Sequence, residues 1–310
     1  MTANLPLRLG FIGLGTMGTP MALSLARKFP LTVWNRTPSK YHHFDQTSAE
    51  IASSPLQVIQ KSDIIFTMLF DGAAVEAVIN GDTLSALKGK ILVNTSSVTE
   101  TSSHAISDRV TAAGGDFVEM PVSGGPVPAA AGQLVGMMAG DEAVVSRVKP
   151  YVEPLTKAPV YCGPVGQGLK MKYAANLYLI TMTAGLSESM VLARAQGLDP
   201  GAFATVLNAG PMASVYSRAK LAKMVEGDWS ANAAIADCYN STQLIVNAAR
   251  ESGTEAPLIG LCGELYDRAK TEGFGGEDMI AVGKVLKKVP WKKASWKDEV
   301  DGVPDSSEKV

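Results

Sequence analysis

Gly13, Gly15 and Gly18 stand at G-x-G-x-x-G spacing, with Leu14, Thr16 and Met17 between them, directly after the apolar run Leu7 to Ile12 and before a helical pattern from Pro20 to Arg27. With a strand before it and a helix after it, this spacing suits a dinucleotide phosphate. The first glycine permits a tight turn, the second lets backbone approach a pyrophosphate, and the third lets helix and strand pack closely. The helix N-terminus then faces the phosphates with unpaired N–H groups. Far along the chain, Lys172 and Asn176 are four residues apart in an otherwise apolar stretch. That spacing puts them on one helix face, their Cβ atoms about 5–6 Å from each other. A lysine there has two readings: it snorkels to water from an apolar surface, or it serves the site that the glycine loop begins. Taken alone, the lysine reads as snorkelling; the glycine motif of the N-terminal part shifts the balance to the second reading.

The elements that would position these groups are legible in outline. From Gln167 to Gln196 there is no proline, and only Gly168 and Gly185 are weak points, so one helix roughly 40 Å long is expected. Tyr173, Ala174, Ala175, Leu177, Tyr178, Leu179, Ile180 and Met182 make its middle apolar or small on every side, the pattern of a helix buried in protein all round. It carries too many polar groups for a membrane span.

In the N-terminal part, the β-rich run Leu31 to Trp34 ends in Asn35-Arg36-Thr37. An NAD-selective domain usually carries Asp or Glu at this distance past the glycines. Here no carboxylate is present, and the planar fork of Arg36 suits a 2′-phosphate, so NADP(H) is expected over NAD(H); the alternative is a solvated loop arginine. The βα rhythm continues with a strand over 63–69, a helix over 73–79, a strand over 90–97 and a helix over 100–113. Alternation of this kind predicts a parallel, doubly wound sheet with ligands outside the carboxyl ends of the strands. Met68, Leu69, Asn94 and Ser96 fall at such ends and together outline a cofactor crevice, although each alone reads as packing or a cap. Ser123, Gly124 and Gly125 follow a short strand at 117–119; they form either a cradle for a carboxylate or a wide turn. A last strand over 134–139 and a helix reaching Val148 close this part.

The totals exclude several classes of function. With 310 residues, 46% of them hydrophobic, and a formal net charge of −2, the chain has material for two domains. Its scattered charges imply neither nucleic acid nor a membrane as partner. Cys162, Cys238 and Cys262 lie far apart and read as small buried residues in a reducing compartment rather than a disulfide or zinc framework. The N-terminus shows no basic region leading into a long apolar core, so a cytoplasmic location is expected. His42, His43 and His104 have no metal-ligand spacing and read as surface or cap residues, so no metal is expected. There is no G-x-S-x-G nucleophile elbow.

Four segments in order resemble one family. They are GFIGLGTMG near the start, PVSGG at 121–125, G-x-x-G-x-G-x-x-x-K-x-x-x-N from Gly163 to Asn176, and the segment Asn247 to Gly253 that ends a C-terminal helix. Together, over about residues 7 to 286, the chain resembles the β-hydroxyacid dehydrogenases, which include 3-hydroxyisobutyrate dehydrogenases and glyoxylate/succinic semialdehyde reductases. The resemblance implies an α/β chain with an N-terminal Rossmann domain (residues 1–162) built on the doubly wound parallel sheet. It implies next a long interdomain helix opening an all-helical C-terminal domain (163–290) like that of 6-phosphogluconate dehydrogenase, usually in homodimers or homotetramers. Residues 291–310, basic and then acidic, are expected to be a weakly ordered tail. The family's catalytic lysine falls on Lys172, its neighbouring substrate-binding asparagine on Asn176, and its substrate loop on Ser123, Gly124 and Gly125. The family's usual lysine–aspartate pair falls on Asn240 and Ser241, so a positive charge near the substrate is missing. Preference is thereby shifted from small acids towards larger, less acidic or uncharged carbonyls.

The expected chemistry follows from hydride transfer. As hydride reaches a carbonyl carbon, negative charge grows on oxygen, and a positioned proton donor accelerates the step typically by about 10²–10⁴-fold. A partly desolvated Lys172 has its pKa drawn towards working pH, and Asn176 would orient the oxygen. In the second domain, helices are expected over about 200–208, 215–225, 231–252, 257–272 and 277–287, with Tyr216, Arg218 and Trp229 as further groups able to reach a substrate, Trp229 more simply by packing. Two rival readings remain: an NADPH-dependent imine reductase, an architecture the chain also resembles but which commonly carries Asp or Tyr in place of the lysine, and a non-catalytic NADP-binding protein.

Overall fold

The structure, a computed structural model, describes residues 7–286. The tail expected over 291–310, and residues 287–290 of the expected helical domain, lie outside them. The strands are β1 (Leu9–Ile12), β2 (Leu31–Trp34), β3 (Glu50–Ile51), β4 (Ile64–Thr67), β5 (Ile91–Asn94), β6 (Asp116–Glu119), β7 (Val122–Ser123), β8 (Leu134–Gly140) and β9 (Thr156–Gly163). The helices are α1 (Gly18–Ala26), α2 (Pro55–Lys61), α3 (Gly72–Val78), α4 (Gly81–Ser85), α5 (Glu100–Ala112), α6 (Pro126–Ala130), α7 (Glu142–Val152), α8 (Gln167–Ala195), α9 (Pro200–Ala209), α10 (Val215–Glu226), α11 (Ile235–Glu251) and α12 (Pro257–Ala269). Of the described residues, 7–179 with 240–260 form one compact unit and 180–239 with 261–286 form another.

In the first unit, the strands run in the order β3-β2-β1-β4-β5-β6 and all pair in parallel. The strand order reverses beside β1, the switch point at which such sheets open a ligand crevice. Side chains alternate between two cores, as a strand's period of two demands. Leu9, Phe11, Ile64, Phe66, Ile91 and Val93 pack with Met21 and Leu25 of α1 and Val148 of α7. On the other face, Ile12, Ile65, Leu92 and Phe117 pack with Ile59 of α2, Val75 of α3 and Ile106 of α5. Burial on both faces is why these strands read as unbroken apolar runs.

The sheet does not end at the strand expected over 134–139. β8 pairs antiparallel with β6 and β7, and parallel with β9. β9 escapes a sequence reading because it contains Pro159 and is mostly half-buried or exposed, the composition of an edge strand. The cysteines also divide. Cys238 and Cys262 are buried, whereas Cys162 on β9 is only half-buried. Desolvation pushes all three thiols up, Cys238 to about 12, so they remain protonated.

The second unit is helical around Met190, Ala204, Leu221, Met224 and Ile280. Within it Lys220 Nζ lies 2.7 Å from each carboxylate oxygen of Asp278, and Asp278 also accepts from Asn232 N at 2.9 Å and Ile280 N at 3.2 Å. Both side chains are almost wholly buried. This pair explains a shifted boundary. The helix expected from Ala231 begins only at Ile235, because residues 232–234 are drawn into extended contact with Asp278 and Met279. The segment after α12 likewise runs as a 3₁₀ helix, Met279–Leu286, rather than an α-helix. Tyr216 and Trp229 are engaged here: the Tyr216 hydroxyl lies 2.7 Å from that of Thr183, and Lys284 sits over the Trp229 ring. Arg218 is exposed.

Removing one partner of a buried ion pair strands the other, at a cost of about 3–5 kcal/mol. Lys220→Ala is therefore expected to lower unfolding stability by about that amount in urea melts, and Lys220→Met/Asp278→Leu to recover most of the loss. Equal losses in the single and double variants would show that the pair is not the element holding the segment 232–280.

Candidate active site

The three motif glycines are glycine for different reasons. At Gly13, with φ 102°, an added Cβ would lie 2.3 Å from the Met68 carbonyl oxygen, and at Gly18 it would lie 1.9 Å from the Gly13 carbonyl oxygen. These two glycines are required by the chain's own packing. Around Gly15 nothing lies within 4 Å of a Cβ position, so no contact within the described residues requires a glycine there. Helix α1 begins at this point with Met17 at its N-cap, no side-chain cap and no acidic residue in its first turn. By contrast α2, α3, α5, α7, α9 and α10 are capped by Ser54, Asp71, Thr99, Asp141, Asp199 and Ser214. An open helix start beside an exposed Gly15 and Thr16 fits a phosphate group.

A cleft of about 420 Å³ adjoins this loop, lined among others by Gly15, Thr16, Thr19, Lys40 and His43. Lys40 and His43 were not among the expected cofactor residues. The signal that would have found Lys40 is its place four residues after Arg36. Asn35 acts as a brace: its Oδ1 accepts from Leu14 N at 2.8 Å, and its Nδ2 donates to the Thr37 carbonyl at 2.9 Å. The Tyr41 hydroxyl closes on both backbone groups of Asn35. Arg36 and Thr37 are exposed, and the Arg36 guanidinium has no partner among the described residues.

The expected crevice residues beyond β4 and β5 come together. Leu69 N donates to Ser96 Oγ at 2.8 Å, and Thr67 Oγ1 and Ser96 N both donate to Asn94 Oδ1, at 2.9 and 3.1 Å. Asn94 is 1% exposed, yet its Nδ2 has no partner. A buried amide left unpaired costs about 1–3 kcal/mol, which marks Asn94 as a position that packing alone does not explain. Met68 lies against Gly13, which joins this edge of the crevice to the glycine loop.

Lys172 reaches the same region from α8. Its Nζ donates to Ser97 Oγ at 2.7 Å and to the Val122 carbonyl at 3.1 Å. Both partners are neutral. Desolvation, with no carboxylate to offset it, draws the Lys172 pKa down from 10.5 to about 8. The ammonium is thus held on two protein oxygens, Ser97 Oγ and the Val122 carbonyl. Asn176, one turn further on, is half-buried. Ser123 is half-buried beside Val122, and Gly124, with φ 125°, has no room for a Cβ against Leu134 and Pro128. Gly125 is the N-cap of the short helix α6. Asn240 is exposed on α11, and no hydrogen bond among the described residues ties it to Lys172, Asn176 or Ser123. Ser97 and the Val122 carbonyl were missed as partners of Lys172, since which hydroxyl and which carbonyl meet an amine is decided by loops 50 and more residues away.

Comparison with known proteins agrees with this geometry. Residues 8–163 match the family profile of the NAD-binding domain of 6-phosphogluconate dehydrogenase, and residues 166–286 match the profile described as NAD-binding of NADP-dependent 3-hydroxyisobutyrate dehydrogenase. The chain is 32% identical over 285 residues to glyoxylate/succinic semialdehyde reductase 1 of Arabidopsis thaliana, covering 91% of this chain and 99% of that protein. Its fold superposes on a 3-hydroxyisobutyrate dehydrogenase of Salmonella typhimurium with a TM-score of 0.82 at 23% identity, over 90% of this chain and 99% of the other. An imine reductase from Myxococcus stipitatus, solved with NADP+, shares the fold with a TM-score of 0.63 at 19% identity, over 90% of this chain and 100% of the other. Two family profiles that together span residues 8–286, and a relative 32% identical that is matched along 99% of its length, show that this chain belongs to the β-hydroxyacid dehydrogenase family of NAD(P)-binding oxidoreductases.

Proposed function

We propose that the protein is an NADP(H)-dependent oxidoreductase that exchanges hydride with a small carbonyl or β-hydroxyacid, with Lys172 as the general acid in reduction and general base in oxidation. The observation that carries this reading is the Lys172 amine, held between Ser97 and Val122 with its pKa drawn to about 8. On this reading residues 1–162 hold the dinucleotide and 163–290 open with the helix that brings the lysine.

When bound, the nicotinamide supplies the hydride. Gly13 to Gly18 and the open start of α1 would bind the pyrophosphate, Arg36 the 2′-phosphate, and Asn94 Nδ2 an acceptor at the reacting end. As negative charge develops on the substrate oxygen, Lys172 transfers a proton to it from Nζ and is left as a neutral amine, which solvent reprotonates. In the reverse direction the neutral amine takes the hydroxyl proton. Ser97 and the Val122 carbonyl aim the nitrogen throughout, and Asn176 orients the oxygen. Ser123 with its glycine loop would hold the polar end of the substrate. With Asn240 where the family pattern has a lysine, that end need not be a carboxylate.

The Arabidopsis relative, a glyoxylate/succinic semialdehyde reductase, supplies the first test substrates, glyoxylate and succinic semialdehyde. An uncharged aldehyde tests the neutral Asn240, and a cyclic imine tests the rival reductase chemistry, which the retained lysine disfavours. Lys172→Ala is expected to lower kcat for carbonyl reduction by about 10²–10⁴-fold while NADPH binding is kept. Imine turnover that survives this substitution would overturn the assignment.

The pH dependence has a definite sign. Reduction needs the ammonium, so its rate should be full below the Lys172 pKa and fall as pH rises through about 8, whereas oxidation needs the free amine and should rise through the same pH. Inflections in the same direction for both reactions would contradict the proton's route. Loss of a charge-assisted contact of about 1.5–3 kcal/mol should make Arg36→Ala raise the KM for NADPH about 10- to 100-fold and leave that for NADH unchanged; a parallel change in both would remove Arg36 from the 2′-phosphate.

A further inference from the structure

The start of α8 is held by a group that the proton-transfer chemistry does not use. Glu119, at the end of β6, is 1% exposed. Its Oε1 accepts from Leu169 N at 2.9 Å, and its Oε2 accepts from Gly166 N at 3.2 Å and from the Ser103 hydroxyl of α5. Gly166 immediately precedes α8, and Leu169 is its third residue. Glu119 therefore does from a distant strand what a local capping box does: it satisfies orphan N–H groups at a helix start, where a negative charge also opposes the macrodipole.

The glycines of the G-x-x-G-x-G segment fit this joint. A Cβ on Gly168 would lie 2.5 Å from the Met137 carbonyl oxygen and 2.9 Å from Glu119 Oε1. Gly166, with φ 93°, would meet His104 Nε2 at 2.8 Å and the Glu100 side chain at 3.2 Å. The surrounding contacts converge on the same turn. Leu169 is fully buried in the core cluster that contains Ile106 and Phe117, the Tyr173 hydroxyl donates to the Val98 carbonyl at 3.0 Å, and Lys170 pairs with Glu100 at 2.9 Å.

Lys172 stands one turn beyond Leu169, and its two partners come from the same two segments. Ser97 adjoins Val98, the acceptor of Tyr173, and Val122 lies three residues after Glu119. We propose that Glu119 is a positioning residue that seats the first turn of α8 and thereby sets Lys172 Nζ between Ser97 Oγ and the Val122 carbonyl. It touches neither substrate nor the amine and acts through the helix. Displacement of a reacting group by about 1 Å is enough to cost on the order of 100-fold in rate, so a joint of this kind governs activity without taking part in it.

This inference rests on the reading of Lys172 as the proton carrier, and the test separates the two. Glu119→Gln keeps an acceptor for one N–H but turns an NH₂ group towards the remaining donors; Gly168→Ala keeps Glu119 and pushes on the same joint from the helix side. Competitive labelling with acetic anhydride, read at Lys172 by mass spectrometry across pH 6–11, reports the titration of that amine without any turnover. In both folded variants the midpoint should move up from about 8 by about one pH unit or more as Nζ leaves its desolvated seat. With a carbonyl substrate, kcat should fall about 10- to 100-fold and the KM for NADPH should hold within about twofold. A Lys172 midpoint unmoved in both folded variants, or a kcat that falls only as far as the folded fraction, would overturn the positioning role. A midpoint that moves in a protein turning over no carbonyl would uphold the seating and remove the proposed reaction instead.

Discussion

The carboxylate of Glu119 meets two backbone N–H groups and one hydroxyl in a place closed to water. Burying such a group alone is prohibitive, and the three donors with the positive end of a long helix are what offset the cost. The contact joins the neighbouring elements α5 and β6 to the start of α8, about 50 residues further along the chain. A 29-residue helix magnifies any error at its origin, so the geometry of its first turn decides where everything carried on that turn arrives. The crevice at the carboxyl ends of the strands is complete only when this turn is in place, because the loops that receive Lys172 are those that hold the helix.

The same economy appears at the opposite side of the crevice. Gly13 and Gly18 let the loop fold upon the Met68 carbonyl and upon itself, and Asn35 ties that loop to the end of β2. Once these contacts are made, Gly15 faces open space and α1 starts without a cap. Asn94 presents a buried amide without a partner. Unmade hydrogen bonds destabilise an isolated chain, and each such group calls for a reason. Stability given up locally in this way is a recurring mark of functional sites.

Lys172 shows the same trade in its charge. An ammonium on neutral oxygens, with no carboxylate to offset its desolvation, holds its proton less tightly than a free lysine, and its pKa falls to about 8. The second unit handles its buried lysine in the opposite way. Lys220 has Asp278 against it, and that pair organises a chain segment rather than a reaction. The two lysines thus differ in setting: Lys220 is 4% exposed with a carboxylate against it, whereas Lys172 is half-buried and rests on neutral oxygens.

By itself the sequence determined what depends on neighbours in the chain. The alternation of strands and helices, the G-x-G-x-x-G turn, the single long helix and the four-residue spacing of Lys172 and Asn176 all follow from periodicity and glycine placement, and the family resemblance follows from their order. Tertiary structure decided what depends on partners remote in sequence. It supplied Ser97 and Val122 to Lys172, tied Asn35 to the glycine loop through Leu14, and added β9 at an edge where Pro159 hides the strand signal. It also held residues 232–234 out of α11 by Asp278. Gly168 makes the division plain: in the sequence it is a weak point in a helix, and in the fold it is the place where Met137 and Glu119 come too close for any side chain. Local propensity sees the backbone cost of a glycine; only the packed chain reveals the neighbour that requires it.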